Sequence, residues 1–317
     1  MGSDHARILA QDVPGAELRY VCDADQTRAK AVADSFGAAH VASDPEKVIA
    51  AADVDAVLIA SPDATHAPLT LAALAARKPV LCEKPLAPTS ADCRTVLAAE
   101  AKLGRKLVHT GFMRRFDPAY VDMKQAFAAG AVGKALMFHC FHRNVSAPDW
   151  FTPEMAITNS APHEFDIARW LLGEEPVSIA AFQPRAVDPA RPGAPVLMVL
   201  ETEGGKLVNI EVNVNAAYGY DVRGELVGET GSISLRQPAT TDVNSGLQQQ
   251  VAYPKDWRPR FAEAYRRQDQ AWIASIASGR FAGADAWDGY AATRIAEAGV
   301  LALKSGRPMA ISPGERP

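Results

Sequence analysis

The sequence lacks most of the features that would set it apart from ordinary soluble proteins. It has four cysteines in 317 residues, Cys22, Cys82, Cys93 and Cys140. They lie far apart with no C-x-x-C, so neither a disulfide framework nor a zinc knuckle is expected. No apolar run is long enough to span a bilayer, and the N-terminus lacks the charged-then-apolar pattern of an export signal. No basic block stands out, because 33 Lys and Arg face 37 Asp and Glu for a net charge of −4. Nucleic acid and membranes are therefore not expected partners. No nucleophile elbow, Walker loop or paired-carboxylate motif occurs. No metal is expected either: His139 and His142 point to opposite faces of one strand, which makes a poor ligand set with His163. What is there is an average composition, 48% hydrophobic and 22% charged, and enough chain for about two domains. A reduced, cytoplasmic setting is the expectation.

The first hundred residues alternate two textures. Apolar runs at 18–22, 54–60, 79–82 and 106–110 alternate with helical patterns at 27–36, 69–76 and 90–103. Near-continuous apolar strands separated by helices predict βαβ units and a parallel sheet covered on both faces. Ligands of such sheets sit outside the carboxyl ends of the strands, which draws attention to Asp23, residues 61–66, Glu83-Lys84-Pro85 and residues 111–115. After Phe116 the pattern changes. Helices are expected at 117–129 and 160–172, and strands at 135–144, 177–182, 196–201, 207–215, 221–227 and 232–235, with closing helices at 259–278 and 287–304. In the strand at 207–215 Val208, Ile210, Val212 and Val214 alternate with Asn209, Glu211, Asn213 and Asn215, the mark of a sheet with one face on a core. The reading is thus an α/β domain over 1–112 and an α+β domain with an open, mainly antiparallel sheet over 113–317, with the last helix packing back on the first domain.

Several residues in these positions could carry chemistry. Asp23 either accepts hydrogen bonds from a nucleotide ribose or caps the next helix, for which Asp25 is the better candidate. Lys84 precedes a proline, which restricts its backbone and would aim its ammonium at the ligand edge; a solvated surface lysine is the alternative. His142 and Asn144 share one face of a strand. In Asn159-Ser160-Ala161-Pro162-His163 the serine is a natural N-cap, so His163 falls in the first helical turn, where the macrodipole keeps an imidazole neutral. A satisfied core histidine is the other reading.

Glu83-Lys84-Pro85, the run His109-Thr110-Gly111-Phe112-Met113-Arg114-Arg115-Phe116-Asp117, and His163-Glu164-Phe165-Asp166 followed by Arg169-Trp170-Leu171 resemble the Gfo/Idh/MocA oxidoreductases, and within them the NAD-dependent branch that acts on inositols. The resemblance covers essentially the whole chain. It implies a Rossmann domain, a second α/β domain, NAD as cofactor, a small polyol or sugar as substrate, and a homo-oligomer, tetramer or dimer. Lys84 would contact the reacting hydroxyl and the nicotinamide ribose, and His163 would be the general base as the ring hydroxyl becomes a ketone. Arg114, His142, Asn144 and Tyr220 would hold polyol hydroxyls. Asp23 would select NAD, Ser61, Pro62 and His66 would line the cofactor, and Glu83 would accompany Lys84. A scyllo-inositol or aldose dehydrogenase and a non-catalytic, cofactor-deficient homologue are the alternatives.

Two departures from the family pattern stand out. Where an aspartate is usual four residues before the histidine, this chain has Asn159, which is expected to act in catalysis by bonding a substrate hydroxyl. The dinucleotide fingerprint G-x-G-x-x-G with an acid roughly 20 positions on is incomplete as well. Asp23 lies 21 positions after Gly2, so Gly2 takes the place of the third glycine, while the first strand and first two glycines are missing. A start assigned too late is the expected explanation and a real truncation the alternative, with poor NAD binding or poor folding of the 317-residue chain as the consequence.

Overall fold

The computed structural model describes residues 1–185, 192–236, 242–312 and 314–316. The chain forms two compact units: Met1–Phe116 with Glu263–Thr293 and Glu315–Pro317, and Asp117–Ala262 with Arg294–Gly314.

In the first unit helix α1 (Gly2–Gln11) opens the chain and leads to β1 (Tyr20–Cys22), α2 (Gln26–Phe36), β2 (His40–Ala42) and α3 (Pro45–Ala50). Local chemistry sets these boundaries. The Asp25 carboxylate accepts from the N–H groups of Thr27 and Arg28 at 3.0 and 3.2 Å, so it is Asp25 that caps α2. Gly37 closes the helix at a left-handed φ of 76°, which costs glycine nothing. Asp44 caps α3, and Pro45 occupies its first turn.

Strands β3 (Val57–Ile59), β4 (Val80–Cys82) and β5 (Val108–Thr110) follow, separated by α4 (His66–Ala75) and α5 (Ser90–Ala101). Strands β4 and β5 are buried at every residue, as a strand with helices on both faces must be. Val57, Val80 and Val108 stand in register and pack with Ala73, Leu74, Val96 and Leu97 and with Trp287 and Tyr290 from late in the chain. All pairings are parallel, as expected, but they form two sheets: β1 with β2, and β3-β4-β5.

The second unit contains α6 (Pro118–Ala128), β6 (Ala135–Arg143), the short turn α7 (Pro153–Met155) and α8 (Pro162–Leu172). Strands β7 (Pro176–Phe182), β8 (Val196–Thr202), β9 (Leu207–Asn213), β10 (Asp221–Gly228) and β11 (Ser232–Ser234) follow. A separate hairpin of β12 (Asp242–Ser245) and β13 (Gln248–Val251) precedes the long helices α9 (Trp257–Ser278) and α10 (Ala286–Ser305) and the final strand β14 (Met309–Ala310). The main sheet runs β11-β10-β6-β9-β8-β7-β14. Every neighbour is antiparallel except β6 with β9. One face is dry: Phe138, Val208, Ile210, Val212, Met198 and Leu226 are all fully buried. Helix α8 lies against β6, and the turn before it against β9. The expected mainly antiparallel open sheet is observed. Among the described residues no helix is long and apolar enough to cross a membrane.

One local expectation is overturned. The helix expected to start at Ser160 starts at Pro162, with Ala161 at the cap and no capping side chain. Residues 153–160 are already helical, and Ala156–Ser160 forms a π turn in which the Ala161 N–H reaches the Ala156 carbonyl at 3.0 Å. Ser160 therefore lies within a helical run and caps nothing, and the macrodipole argument for a neutral His163 loses its basis. Turns of this kind inside helices recur at functional sites. The helix that follows also has no solvated face: of its residues only Trp170 is not buried.

Candidate functional site

In the first unit the residues singled out by sequence stand where strands end. Asp23 follows β1. Its Oδ1 accepts the Asp25 N–H at 2.9 Å and an Arg28 Nη2 hydrogen bond at 2.8 Å. The Arg28 bond, followed by the backbone bond, holds this carboxyl below the usual carboxylate range, so it is ionised at neutral pH. Since Asp25 does the capping, the Asp23 carboxylate is a surface group at a strand end, facing one arginine.

Ser61 and Pro62 follow β3, where Ser61 Oγ pairs with Thr65 Oγ1 at 2.5 Å. His66 is 1% exposed. Its Nδ1 lies 2.6 Å from the Pro85 carbonyl and its Nε2 2.9 Å from the Ser61 carbonyl. The ring thus ties the loop after β3 to the loop after β4, holding residues 61, 66 and 85 together. Gly2 starts α1, and a Cβ built on it would meet Ala60 at 3.8 Å. The beginning of α1 therefore lies beside the end of β3. Four of the expected cofactor residues (Gly2, Ser61, Pro62 and His66) fall on one edge, and Glu83-Lys84 joins them through Pro85. Asp23 is at the end of the other sheet.

Glu83 and Lys84 follow β4, and the Lys84–Pro85 peptide is cis. Glu83 is 5% exposed; its Oε2 accepts the Lys84 N–H at 3.1 Å, and its Oε1 lies 3.0 Å from His5 Nε2. The ion pair to His5 keeps the Glu83 carboxyl low against the opposing effect of burial. Gly111, just after β5, hands its N–H to the Cys82 carbonyl at 2.7 Å. A Cβ there would sit 2.8–2.9 Å from the Glu83 carboxylate, so only glycine fits without displacing it. Arg114 lies in the 3-10 turn Met113–Phe116 and is 1% exposed, a burial its expected role in substrate binding did not foresee.

In the second unit two expected residues, His142 and Tyr220, meet. His142, on β6, places Nδ1 3.2 Å from the carboxylate of Glu164, which is fully buried on α8. Tyr220 sets its ring edge-on to His142 at 6.2 Å and to Phe261 at 6.3 Å, and its N–H donates to the Pro254 carbonyl at 2.7 Å. Beside it, Asp221 takes both Arg223 Nε contacts and the Tyr218 hydroxyl at 2.6 Å. His163 neighbours Glu164 in α8 and is 7% exposed. Asn144 lies one residue past β6; its backbone pairs with Asn213 and Ala216. Asn159 is an exposed residue of the π turn.

Among the buried charges that sequence reasoning passed over are His5, Glu164 and Asp269. A signal existed for the last: Tyr265, Asp269 and Trp272 follow i, i+4, i+7 spacing, and all three are buried, which puts a carboxylate in the middle of an apolar stripe.

Comparison with known proteins agrees with this architecture. Residues 1–112 match the family described as "Oxidoreductase family, NAD-binding Rossmann fold", and residues 120–234 match the "GFO/IDH/MocA C-terminal domain". The chain is 51% identical over 320 residues to "Inositol 2-dehydrogenase 1" of Saccharopolyspora erythraea, with 100% of this chain and 95% of that protein covered. It is 43% identical over 321 residues to "Inositol 2-dehydrogenase" of Streptomyces avermitilis, covering 100% and 93%. Among solved structures, the myo-inositol dehydrogenase of Lactobacillus casei in complex with NAD(H) and myo-inositol matches at a TM-score of 0.95. Its identity is 32%, covering 100% of this chain and 95% of that one.

Proposed function

The chain belongs to the Gfo/Idh/MocA oxidoreductases, and from that premise we infer that it is an NAD-dependent inositol 2-dehydrogenase, oxidising the 2-hydroxyl of the ring to a ketone. The observation that carries this reading is the 51% identity to an inositol 2-dehydrogenase along the whole chain.

Apart from the incomplete glycine fingerprint, the residues present suit NAD. The ionised Asp23 carboxylate at the end of β1 receives both its protein hydrogen bonds on Oδ1, which leaves Oδ2 for ribose hydroxyls, and its charge repels a 2′-phosphate. Helix α1 begins at Gly2 without a capping side chain, so its first N–H groups are available to a pyrophosphate. Ser61 and Pro62 line the cofactor edge, and His66 acts behind them by fixing the two loops to each other. NAD, when bound, supplies the hydride acceptor.

The remaining chemistry falls to side chains. Lys84 donates a hydrogen bond to the reacting hydroxyl and the nicotinamide ribose, and Glu83 fixes the Lys84 backbone through its N–H. His163 removes the hydroxyl proton onto an imidazole nitrogen as the carbon–hydrogen bond breaks. Arg114, His142, Asn144 and Tyr220 hold the other hydroxyls, with Glu164 fixing the orientation of the His142 ring. Asn159 offers a neutral amide to a substrate hydroxyl. If Asn159→Asp changed neither the pH profile nor the substrate preference, Asn159 would have no such role.

NADH formation, followed by absorbance with myo-inositol, scyllo-inositol and glucose, tests the function. Myo-inositol should give the highest kcat/KM; turnover of glucose with none of either inositol would overturn the reading. Self-association is part of the same proposal. The outer face of the sheet exposes Phe182, Leu197 and Leu207 at 52%, 42% and 43%, and Leu197 stands opposite Phe182 in register. These exposed apolar side chains, set on one face among Asn209, Glu211 and Asn213, suit burial against a second copy of the chain. Sedimentation should show an oligomer that Leu197→Glu with Leu207→Glu dissociates, and a monomeric wild type would refute this.

A further inference from the structure

A buried cluster of charges in the first unit is bonded to the backbone of Lys84. His5, on α1, is 1% exposed and stands between two carboxylates. Its Nδ1 is 2.8 Å from Asp269 Oδ2, and its Nε2 is 3.0 Å from Glu83 Oε1. Tyr265 covers the ring edge-on at 5.6 Å. Ionised carboxylates only accept hydrogen bonds, and a neutral imidazole has one N–H to give. Both contacts are satisfied only if the ring is an imidazolium donating at each nitrogen. Burial works against that charge, but the two carboxylates, Asp269 first, outweigh it and push the histidine up to about 10. The ring is therefore charged throughout the neutral range.

This arrangement reaches Lys84 in two steps. The imidazolium holds Glu83 Oε1, and Glu83 Oε2 in turn accepts the Lys84 N–H. The bare Cα of Gly111 closes the remaining side of the carboxylate. Two carboxylates and one imidazolium carry one net negative charge, and Glu83 interacts electrostatically with the Lys84 ammonium. The burial of two carboxylates and a histidine is costly unless geometry is tight, and stability alone would be served as well by apolar side chains of similar volume.

We propose that His5 and Asp269 are positioning residues for Lys84, clamping Glu83 so that the loop after β4 presents the lysine to the reacting hydroxyl in one fixed geometry. The proposal rests on the assignment of Lys84 to that hydroxyl. Asp269→Asn keeps the shape of the side chain and removes the charge that completes the clamp. It should lower kcat with myo-inositol about 10- to 100-fold, as loss of fine positioning does, while KM and the NAD dissociation constant stay within about 2-fold. Asp269→Glu should recover part of the loss.

Because Asp269→Asn leaves a buried charge short of a partner, the pair His5→Leu with Asp269→Leu provides a folded comparison without the clamp, and it should show the same split between kcat and KM. A second readout does not depend on turnover: the rate at which an amine-directed acylating reagent modifies Lys84 in the cofactor-free protein, located by peptide mass spectrometry. That rate should change in the variants while other lysines keep theirs. Folded variants with unchanged kcat and unchanged Lys84 labelling would overturn the proposal. Lys84→Ala separates the two claims. If it retained full kcat, the assignment of Lys84 would fall, whereas altered Lys84 labelling in the clamp variants would still establish the clamp.

Discussion

Gly111→Ala tests the packing around Glu83 most directly. The added methyl would stand 2.8 Å from Glu83 Cδ and 2.9 Å from both carboxylate oxygens, about 0.6 Å or more inside ordinary van der Waals contact. A glutamate tip usually swings clear of such an intrusion at little cost. Here it cannot, because His5 holds one oxygen and the Lys84 N–H holds the other. The chain has two ways to respond: accept overpacking, at about 1–3 kcal/mol, or release the charged hydrogen bond, at about 1.5–3 kcal/mol. The cheaper route sets the cost, so a loss of ~2 kcal/mol and a fall in Tm of about 4–8 °C are expected. The assay is thermal unfolding of Gly111→Ala in two backgrounds, wild type and Glu83→Ala. Without the carboxylate the methyl should cost less than about 0.5 kcal/mol, leaving a coupling energy of ~1.5–2 kcal/mol. Equal losses in both backgrounds would show that the clash with Glu83 is not what makes this position a glycine.

Three further outcomes are expected. Asp23→Ser should raise kcat/KM for NADP relative to NAD by at least about tenfold, because it removes the repelling charge and frees Arg28 from its ion pair; an unchanged ratio in steady-state kinetics would count against Asp23 as the selector. His109 on β5 is buried against Phe281, with ring centroids 3.9 Å apart, and burial pulls it down to about 4 from 6.5. The unfolded chain therefore takes up this proton first, so the stability it contributes is present above pH 6.5 and is lost as pH falls towards 4. His109→Phe should flatten Tm over that interval, and parallel wild-type and variant curves would refute the assignment. In the second unit Asp117 and Arg260 form a two-pronged pair at 2.6 and 2.8 Å, 3% and 8% exposed respectively for residue and side chain. Arg260→Met should cost about 3–5 kcal/mol, and restoring stability with Asp117→Leu in addition would identify the stranded carboxylate as the cause.

Much of this molecule is written in local chemistry, and that part is legible. Asp25 and Gly37 bracket α2 because a carboxylate cap and a left-handed glycine act within a few residues of themselves. The alternation from Val208 to Val214 marks the half-buried β9 because side chains on a strand change face at each step. The turns at residues 203–205 and 228–231 fall between antiparallel strands, as their glycines indicate. What escaped was set at a distance. Ser160 has every property of an N-cap, yet residues 153–159 reach it already coiled, and a helix in progress leaves a serine no donor to cap. The two carbonyl partners of His66 lie 5 and 19 positions away, and no local pattern shows that its ring ties two loops together. The parallel pairing of β6 with β9 inside an antiparallel sheet leaves no mark on either strand. The partners of His5 lie 78 and 264 positions away, and no local pattern ties the three together.

That last separation has a consequence for how the protein is made. Residues 117–262 interrupt the first unit, which is completed only by residues 263–293. On a ribosome adding about 5–20 residues per second, His5 emerges about 13–50 s before Asp269 exists. For that interval the opening helix carries a histidine whose charge has no completed site to enter, and strands β4 and β5 wait for Trp287 and Tyr290 to cover them. The second unit has strands β6 to β11 contiguous between residues 135 and 234, but it too is completed late, by Arg294–Gly314, whose β14 joins the edge of its sheet. Each unit thus stays provisional until late in synthesis, and the first is exposed to chaperones and proteases at least until residues 263–293 are made. A buried charge that pairs at the end of translation works as a completion signal: the loop bearing Lys84 is locked only in a chain synthesised almost to its last helix.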